Sequence, residues 1–259
     1  MTVPSRGLKA CGVAARPDAA AAAAWLRRRR QESAWNLITN PGLVDVSFKE
    51  FLSEDDFIND LEDFLTEVQT HDLTAQFAEQ DISFIAIDID NQSSLATKYG
   101  DQVARNLSRS VGLRIQGQLG LFSSLKSSRL YHVRSDGYYL MLRGISLEEA
   151  RSKAALLYKA LSGDYQIDAR RVAMGRPMVP QNMLELHNIT VRIGVPSYKF
   201  GRLKEILLRH PIETAVVATR EVIMNNLDQS LFIGQQEGGN IIISWDPVSL
   251  GFKPWYPSE

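Results

Sequence analysis

Strands that alternate with helices, interrupted by one tight hairpin, predict an α/β protein of the α+β sandwich type with a central mixed sheet flanked by helices. Ile82 to Ile87 is a nearly unbroken apolar run that ends in Asp88-Ile89-Asp90. Such a run reads as a buried central strand delivering two carboxylates at its C-terminal end. Arg129 to Arg134 and Tyr138 to Arg143 are strand-like runs separated by Ser135-Asp136-Gly137, and a short Asp-Gly turn between such runs signals a hairpin. Around them stand segments with helical spacing.

The first of these begins at Ser53 with Ser-Glu-Asp-Asp and places Phe57, Leu61, Phe64, Leu65 and Val68 on one face. It predicts a capped amphipathic helix with acids in its first turn and an apolar face that needs a partner. After the Asp pair, Leu95, Tyr99, Val103, Leu107 and Val111 recur every fourth residue. A strict four-residue repeat drifts around a helix by about 40° per step, so a single long helix must wrap its stripe or break, with Gly112 and Gly117 as the expected places. Ser146 and Glu149 form a capping box ahead of Leu147, Ala150, Ala154, Leu157 and Leu161. Residues 163–187 lack clear periodicity and read as an insertion with one strand. Ile189 to Val195 predicts a strand, Ile212 to Gln236 a helix, and Asn240 to Trp245 a final buried strand before a proline-bearing tail. The expected organisation is a disordered basic tail over residues 1–34, an acidic helical segment over 35–78, the main domain over 79–246 and a C-terminal tail over 247–259.

With 44% hydrophobic and 23% charged residues among 259, the chain has the composition of a soluble globular protein with a sizeable core. Cys11 is the only cysteine, which excludes an internal disulfide and a cysteine-rich zinc site and fits a reducing cytoplasm. The apolar stretch Ala19 to Leu26 is too short to span a bilayer. Arg27, Arg28, Arg29 and Arg30 follow it rather than precede it, against the order of a secretory signal. Its composition overlaps with that of transit peptides, but a disordered tail is the reading adopted. The net charge of -1 is unevenly laid out: residues 1–34 carry +5, residues 35–80 carry -10 and the remainder +4. Nucleic-acid binding would rest on the four-arginine run alone and is not expected.

A strand ending in Asp88 beside a hairpin turn carrying Asp136 brings two carboxylates together in one sheet, where they repel unless a cation joins them. Magnesium takes hard oxygen ligands, commonly one or two carboxylates with waters and substrate phosphates. In phosphoryl and nucleotidyl transfer it offsets developing negative charge. An Asp at a strand end or in a turn also has an ordinary local hydrogen-bonding role, so two acids do not establish a metal site. The four histidines, His71, His132, His187 and His210, show no paired metal-ligand spacing, and no Walker loop or Gly-x-Ser-x-Gly elbow is present.

In order and spacing, the motifs resemble those of the GGDEF (diguanylate cyclase) domain family. Phe84-Ile85-Ala86-Ile87-Asp88-Ile89-Asp90 followed by Tyr99-Gly100 is similar to that family's opening strand, its Asp-x-Asp and its Tyr-Gly. Arg134-Ser135-Asp136-Gly137-Tyr138 stands in the place of Gly-Gly-Asp-Glu-Phe. Ile189-Thr190-Val191-Arg192-Ile193-Gly194-Val195 is similar to the later strand, usually Val-Thr-x-Ser-x-Gly. Asp228-Gln229-Ser230-Leu231-Phe232 with Gly238-Gly239-Asn240 resembles the closing helix and the turn into the last strand, and Asn36-Leu37-Ile38-Thr39 resembles the Asp-x-Leu-Thr that precedes the domain. The resemblance spans roughly residues 36–245. It implies the palm-like sheet shared by nucleotide cyclases and polymerases, in which two GTP-loaded domains meet as a dimer to make cyclic di-GMP.

The resemblance also assigns roles residue by residue. Asp88 and Asp136 match the acids that bind magnesium, and Ile89 matches the residue whose carbonyl is a backbone ligand. Gly137 stands where the signature has the Glu that activates the attacking hydroxyl, and a glycine has no side chain to accept a proton. Arg134 and Ser135 replace the paired glycines against which the nucleotide lies, so their side chains are expected to crowd it. The guanine-reading Asn and Asp fall on Ala96, which cannot hydrogen-bond a base, and Arg105, which offers donors only. The phosphate-holding cations fall on Ser93, Gln235 and Gly239. Each lost charge-assisted contact would remove roughly 1.5–3 kcal/mol of binding. The product-inhibition motif would fall on Leu125 to Ser128 and is absent.

These departures lead to the expectation of a degenerate, catalytically inactive GGDEF-like domain kept for signalling, dimerisation or nucleotide sensing in a bacterial cytoplasm. Its partner would be a second copy or another signalling protein. The alternative is an active nucleotidyl cyclase of altered specificity, with magnesium on Asp88 and Asp136 and with Arg134 and Arg105 as replacement contacts. A third reading is a bare interaction domain that docks through its acidic helix.

Overall fold

β1 (Asp81–Ile89) is the strand around which the molecule is arranged. In the computed structural model, which describes residues 51–70, 75–119, 129–168, 183–209, 211–246 and 251–255, it is buried from Ile82 onward with no alternation. A strand loses its two-residue alternation only when both faces are covered. On one side β1 pairs antiparallel with β3 (Gly137–Arg143), which pairs in turn with β2 (Arg129–Val133). On the other it pairs antiparallel with β6 (Val191–Lys199). β6 runs parallel to β7 (Ile242–Asp246), and β8 (Gly251–Trp255) closes the edge, so the six strands lie in the order β2-β3-β1-β6-β7-β8. The predicted central mixed sheet flanked by helices is the architecture observed.

Each face of the sheet has its own core. Ile85, Ile87 and Ile89 pack with Val103, Leu107 and Val111 of α4 (Asp101–Leu119) and with Ala150, Ala154 and Leu157 of α5 (Leu147–Leu161). Ile82, Phe84 and Ala86 face the opposite way. They pack with α1 (Glu54–Thr70), α6 (Phe200–Leu207) and α7 (Ile212–Gln236). The apolar stripe read in the sequence, Phe57, Leu61, Phe64, Leu65 and Val68, is the buried face of α1, and its partner is this chain's own sheet. Phe57 sits edge-on to Tyr131 and Tyr139, with ring centroids 5.1 Å apart in both cases. Ser53 starts the helix as expected, accepting from the Asp56 amide at 3.1 Å while its own amide donates to the Asp56 carboxylate at 2.7 Å. The short α2 (Ala75–Ala78) follows.

Five expectations are corrected by the structure. The long helix after β1 breaks at Gly100, not at Gly112 or Gly117, giving α3 (Gln92–Tyr99) and then α4. Gly100 adopts φ 93 and donates its amide to the Ala96 carbonyl at 2.8 Å, a helix ending that favours glycine. Gly112 lies inside α4 and instead makes room for the Phe51 ring and the Tyr138 hydroxyl. The region read as an insertion with one strand holds two, β4 (Gly163–Asp168) and β5 (Met183–Ile189), paired in a separate two-stranded sheet. Ile189 therefore ends β5, and the strand expected from Ile189 begins at Val191 as β6. In the hairpin the turn is Arg134-Ser135-Asp136, because Gly137 pairs with Val133 across it. Finally, part of the expected C-terminal tail is β8, an edge strand that tolerates Pro254 opposite Ile243. The tail of residues 1–34 with Cys11, the segment Asn36-Leu37-Ile38-Thr39, His71, His210 and Leu125 to Ser128 lie outside the described residues.

Ser146 caps α5 as expected, its hydroxyl accepting from the Glu149 amide at 3.2 Å, which is one half of the capping box. Ser146→Ala is expected to cost about 1 kcal/mol of stability in urea unfolding. Among the described residues no helix is long and apolar enough to cross a membrane.

Candidate functional site

The site expected from the sequence lies where β1 ends. Asp88 sits in register opposite Gly137 of β3 on one side and Arg192 of β6 on the other. By strand alternation its side chain shares the face of Phe84 and Ala86, the face that α7 covers. There it is fully buried and ion-paired with Nη2 of Arg192. The other terminal nitrogen, Nη1, donates to Oδ1 of Asp90 at 2.9 Å. Oδ2 of Asp90 accepts from the Thr190 hydroxyl at 2.7 Å and from the Asn240 amide at 3.4 Å. The turn after α7 closes over this group. A Cβ on Gly239, which adopts φ 76, would stand 2.7 Å from Oδ2 of Asp90. Glycine is required there both by the backbone and by the space.

The hairpin turn next to Asp88 is bolted from both sides of the sheet. Arg134 adopts φ 62, a left-handed backbone that costs a non-glycine residue roughly 1–2 kcal/mol. Its side chain reaches α7, where Nη2 donates to Oδ2 of Asp228 at 2.7 Å, and Oδ1 of the same carboxylate accepts from the Tyr139 hydroxyl at 2.9 Å. Arg134 and Asp228 side chains are only 9% and 1% exposed. Burial, reinforced by the Asp228 carboxylate, pushes the Tyr139 phenol well above its ordinary range and keeps it a donor. Burial alone would lower the Arg134 pKa; Tyr139 and Asp228 outweigh it and hold the guanidinium above the usual arginine value. On the opposite side, the Ser135 carbonyl accepts from Gln92 Nε2 at 3.3 Å and from the Ser108 hydroxyl at 3.0 Å. Arg134 thus keeps a glycine-like backbone and uses its side chain to tie the turn to α7.

The remaining positions named from the sequence are spread over α3, α4 and the end of α7. Ser93 is exposed on α3, with Ala96 one turn further on. Arg105, on α4, makes a 3.4 Å contact with Gln102 of its own helix. Gln235 is exposed in the last turn of α7. Asp136 is half-buried, and its carboxylate accepts from the Ser135 hydroxyl at 3.2 Å. Ile89 is buried and pairs with Val191. At Gly137 a Cβ would meet both a methyl and the carbonyl of Val133 at 3.0 Å, so any side chain there requires that strand to shift. Asp88, the Asp136 turn and Gly239 are brought to one end of the sheet. The sequence reading missed Arg192 and Asp228, the two residues that organise this end. One signal was present: Arg192 occupies the position where the family pattern has Ser, as the single charged residue between Ile189 and Val195.

The donor set does not fit the magnesium ion expected on Asp88, Ile89 and Asp136. Magnesium needs carboxylate oxygens that face waters and phosphates, whereas Asp88 is fully buried and its charge is met by a guanidinium. Asp90, the other acid of the pair, is held by the same guanidinium. Among the described residues no group of three or more His, Cys, Asp or Glu side chains could hold a metal ion. Arg192 is the cation that meets Asp88 and Asp90.

A mixed sheet with a central strand ending in carboxylates, an adjoining hairpin and helices on both faces is the palm-like arrangement of nucleotide cyclases. Within that class the fold is that of a GGDEF domain. The structure is similar to the GGDEF domain of the Pseudomonas aeruginosa protein called YfiN or TpbB, with a TM-score of 0.52 and 13% identity over 76% of this chain and 97% of that one. It is also similar to the coiled coil and GGDEF domain of DgcB from Caulobacter crescentus in complex with c-di-GMP, with a TM-score of 0.50 and 12% identity over 88% of this chain and 98% of that one. The FimX GGDEF domain from Pseudomonas aeruginosa gives 0.50 and 13% over 75% and 94%. No family profile matches the sequence, and no curated protein matches it. The shared property is the fold.

Proposed function

We propose that this chain is a GGDEF-fold module without cyclase activity, acting in bacterial cytoplasmic signalling by docking to a second copy or another signalling protein, or by sensing a nucleotide. The observation that supports this most directly is the internal commitment of the charges that catalysis would need. Asp88 is paired with Arg192. Arg134, the candidate replacement for lost phosphate contacts, is paired with Asp228. Neither group can meet a triphosphate without first breaking a buried ion pair, and breaking one by removing a partner costs about 3–5 kcal/mol. Gly137 supplies no base, and the positions Ser93, Gln235 and Gly239 supply no cation. An active cyclase of changed specificity would have to open both pairs on binding substrate.

The test is incubation of the purified full chain with GTP, or with ATP, and magnesium, followed by chromatography for cyclic dinucleotides. Calorimetric titration with GTP, ATP and cyclic di-GMP runs in parallel. No turnover is expected. Product formation that disappears in Asp136→Ala would overturn the proposal. Binding of a nucleotide without turnover would select the sensing role, and binding of none would select docking.

A further inference from the structure

We propose that Arg192 is a resident cation that permanently takes the place of a divalent ion at the end of β1, and that removing its guanidinium uncovers a divalent-cation site built from Asp88 and Asp90. The proposal rests on the same site as the functional reading but makes a separate claim, about charge rather than turnover.

Two carboxylates brought together out of water cannot both stay ionised unless a cation lies between them. Asp88 is 0% exposed, Asp90 8% and Arg192 6%. One guanidinium serves both acids, Nη2 toward Asp88 and Nη1 toward Asp90. It presents its planar fork to the pair, one terminal nitrogen to each carboxylate. The cation is a side chain of β6 and is held beside Asp88 by the hydrogen-bonded β1–β6 ladder, in which Asp88 and Arg192 are direct cross-strand partners. It is also covered from outside, because the Gly239 turn lies against Asp90 and the Asn240 amide donates to it. A free ion therefore has to displace a buried guanidinium from both carboxylates.

The match is incomplete in a way that gives the proposal its test. One guanidinium is shared between two acids, and Arg192 Nε is buried without a hydrogen-bond partner among the described groups. The guanidinium is positioned by its two terminal nitrogens alone. Without it no cation lies between the two acids, and a divalent ion offers the charge that lets both stay ionised. The Thr190 hydroxyl, already on Asp90 Oδ2, adds a further oxygen of the kind that magnesium and manganese accept.

The experiment compares the full chain with Arg192→Ser, after chelator treatment, by thermal unfolding in EDTA, magnesium and manganese. The wild-type midpoint is expected to be the same in all three. Arg192→Ser is expected to melt lower in EDTA and to recover by roughly 5–10 °C at an ion concentration about 100 times its dissociation constant. Asp88→Asn added to Arg192→Ser is expected to abolish the recovery. An Arg192→Ser protein that folds but ignores both ions would overturn the proposal. Calorimetric titration of the wild type with manganese does not depend on any variant folding. Absence of saturable binding there supports the proposal, and binding lost in Asp88→Asn overturns it. Wild-type metal binding without GTP turnover would sink this inference alone, whereas turnover would sink the functional reading.

Discussion

Asp228→Ala is expected to destabilise the fold by about 3–5 kcal/mol, measured as the shift in urea unfolding. The side chain is 1% exposed and is the acceptor for two groups at once, the Arg134 guanidinium at 2.7 Å and the Tyr139 hydroxyl at 2.9 Å. Its removal leaves a guanidinium with only 9% of its side chain exposed and without the carboxylate it is hydrogen-bonded to, the Glu54 charge being the acid that still acts on it. The same loss should release the hairpin turn from α7, since Arg134 is the link between them. Hydrogen exchange at the Ser135 and Asp136 amides is expected to quicken more than global unfolding accounts for. Replacing both partners, Arg134→Met with Asp228→Leu, is expected to recover most of the loss, because an apolar pair needs no compensating charge. A double variant no more stable than Asp228→Ala would show that the carboxylate acts through Tyr139 instead.

Gly194→Ala is expected to cost about 3 kcal/mol, toward the upper end for overpacking a core. Gly194 lies in β6 between its ladders with β1 and β7, opposite Ala86 and Ile243. A Cβ placed on it would fall 1.8 Å from the Ser230 hydroxyl oxygen of α7 and 2.7 Å from that residue's Cβ. The hydroxyl is itself bonded to the Leu227 carbonyl at 2.7 Å and cannot turn away freely. α7 must lift off the sheet, and α7 is the helix that carries Asp228 and the Gly239 turn. Adding Ser230→Gly should return at least half of the lost stability. If the single variant were as stable as the wild type, α7 would not be seated on β6 as described.

Much of this architecture was legible because it is written in local periodicity. The bounds predicted for α7, Ile212 to Gln236, are those observed, and the Phe57-to-Val68 stripe is the buried face of α1. The unbroken apolar run before Asp88 is a strand covered on both faces. The pairing of β4 with β5 escaped because β4's signal is only two buried residues in alternation, Tyr165 and Ile167, inside a stretch of mixed charge. The break at Gly100 escaped because the four-residue stripe continues across it, and a glycine in a helical pattern does not by itself announce φ 93.

The candidate site divides along the same line. Sequence alone placed Asp88 at a strand end and Asp136 in an adjoining hairpin turn, and the resemblance to the GGDEF pattern implied Gly137 in place of its Glu and Ser93, Gln235 and Gly239 in place of its cations. Those are statements about which residue type stands at which position of a local motif. Only the tertiary structure decided what the remaining charges do. Arg192 meets Asp88 across 104 residues of chain, and Arg134 meets Asp228 across 94. Both pairings depend on which strand lies beside β1 and on which face α7 covers. A periodicity of two or 3.6 residues carries no information about a partner that far away. The sequence showed acids that need a cation, and the fold alone placed a side-chain guanidinium against Asp88.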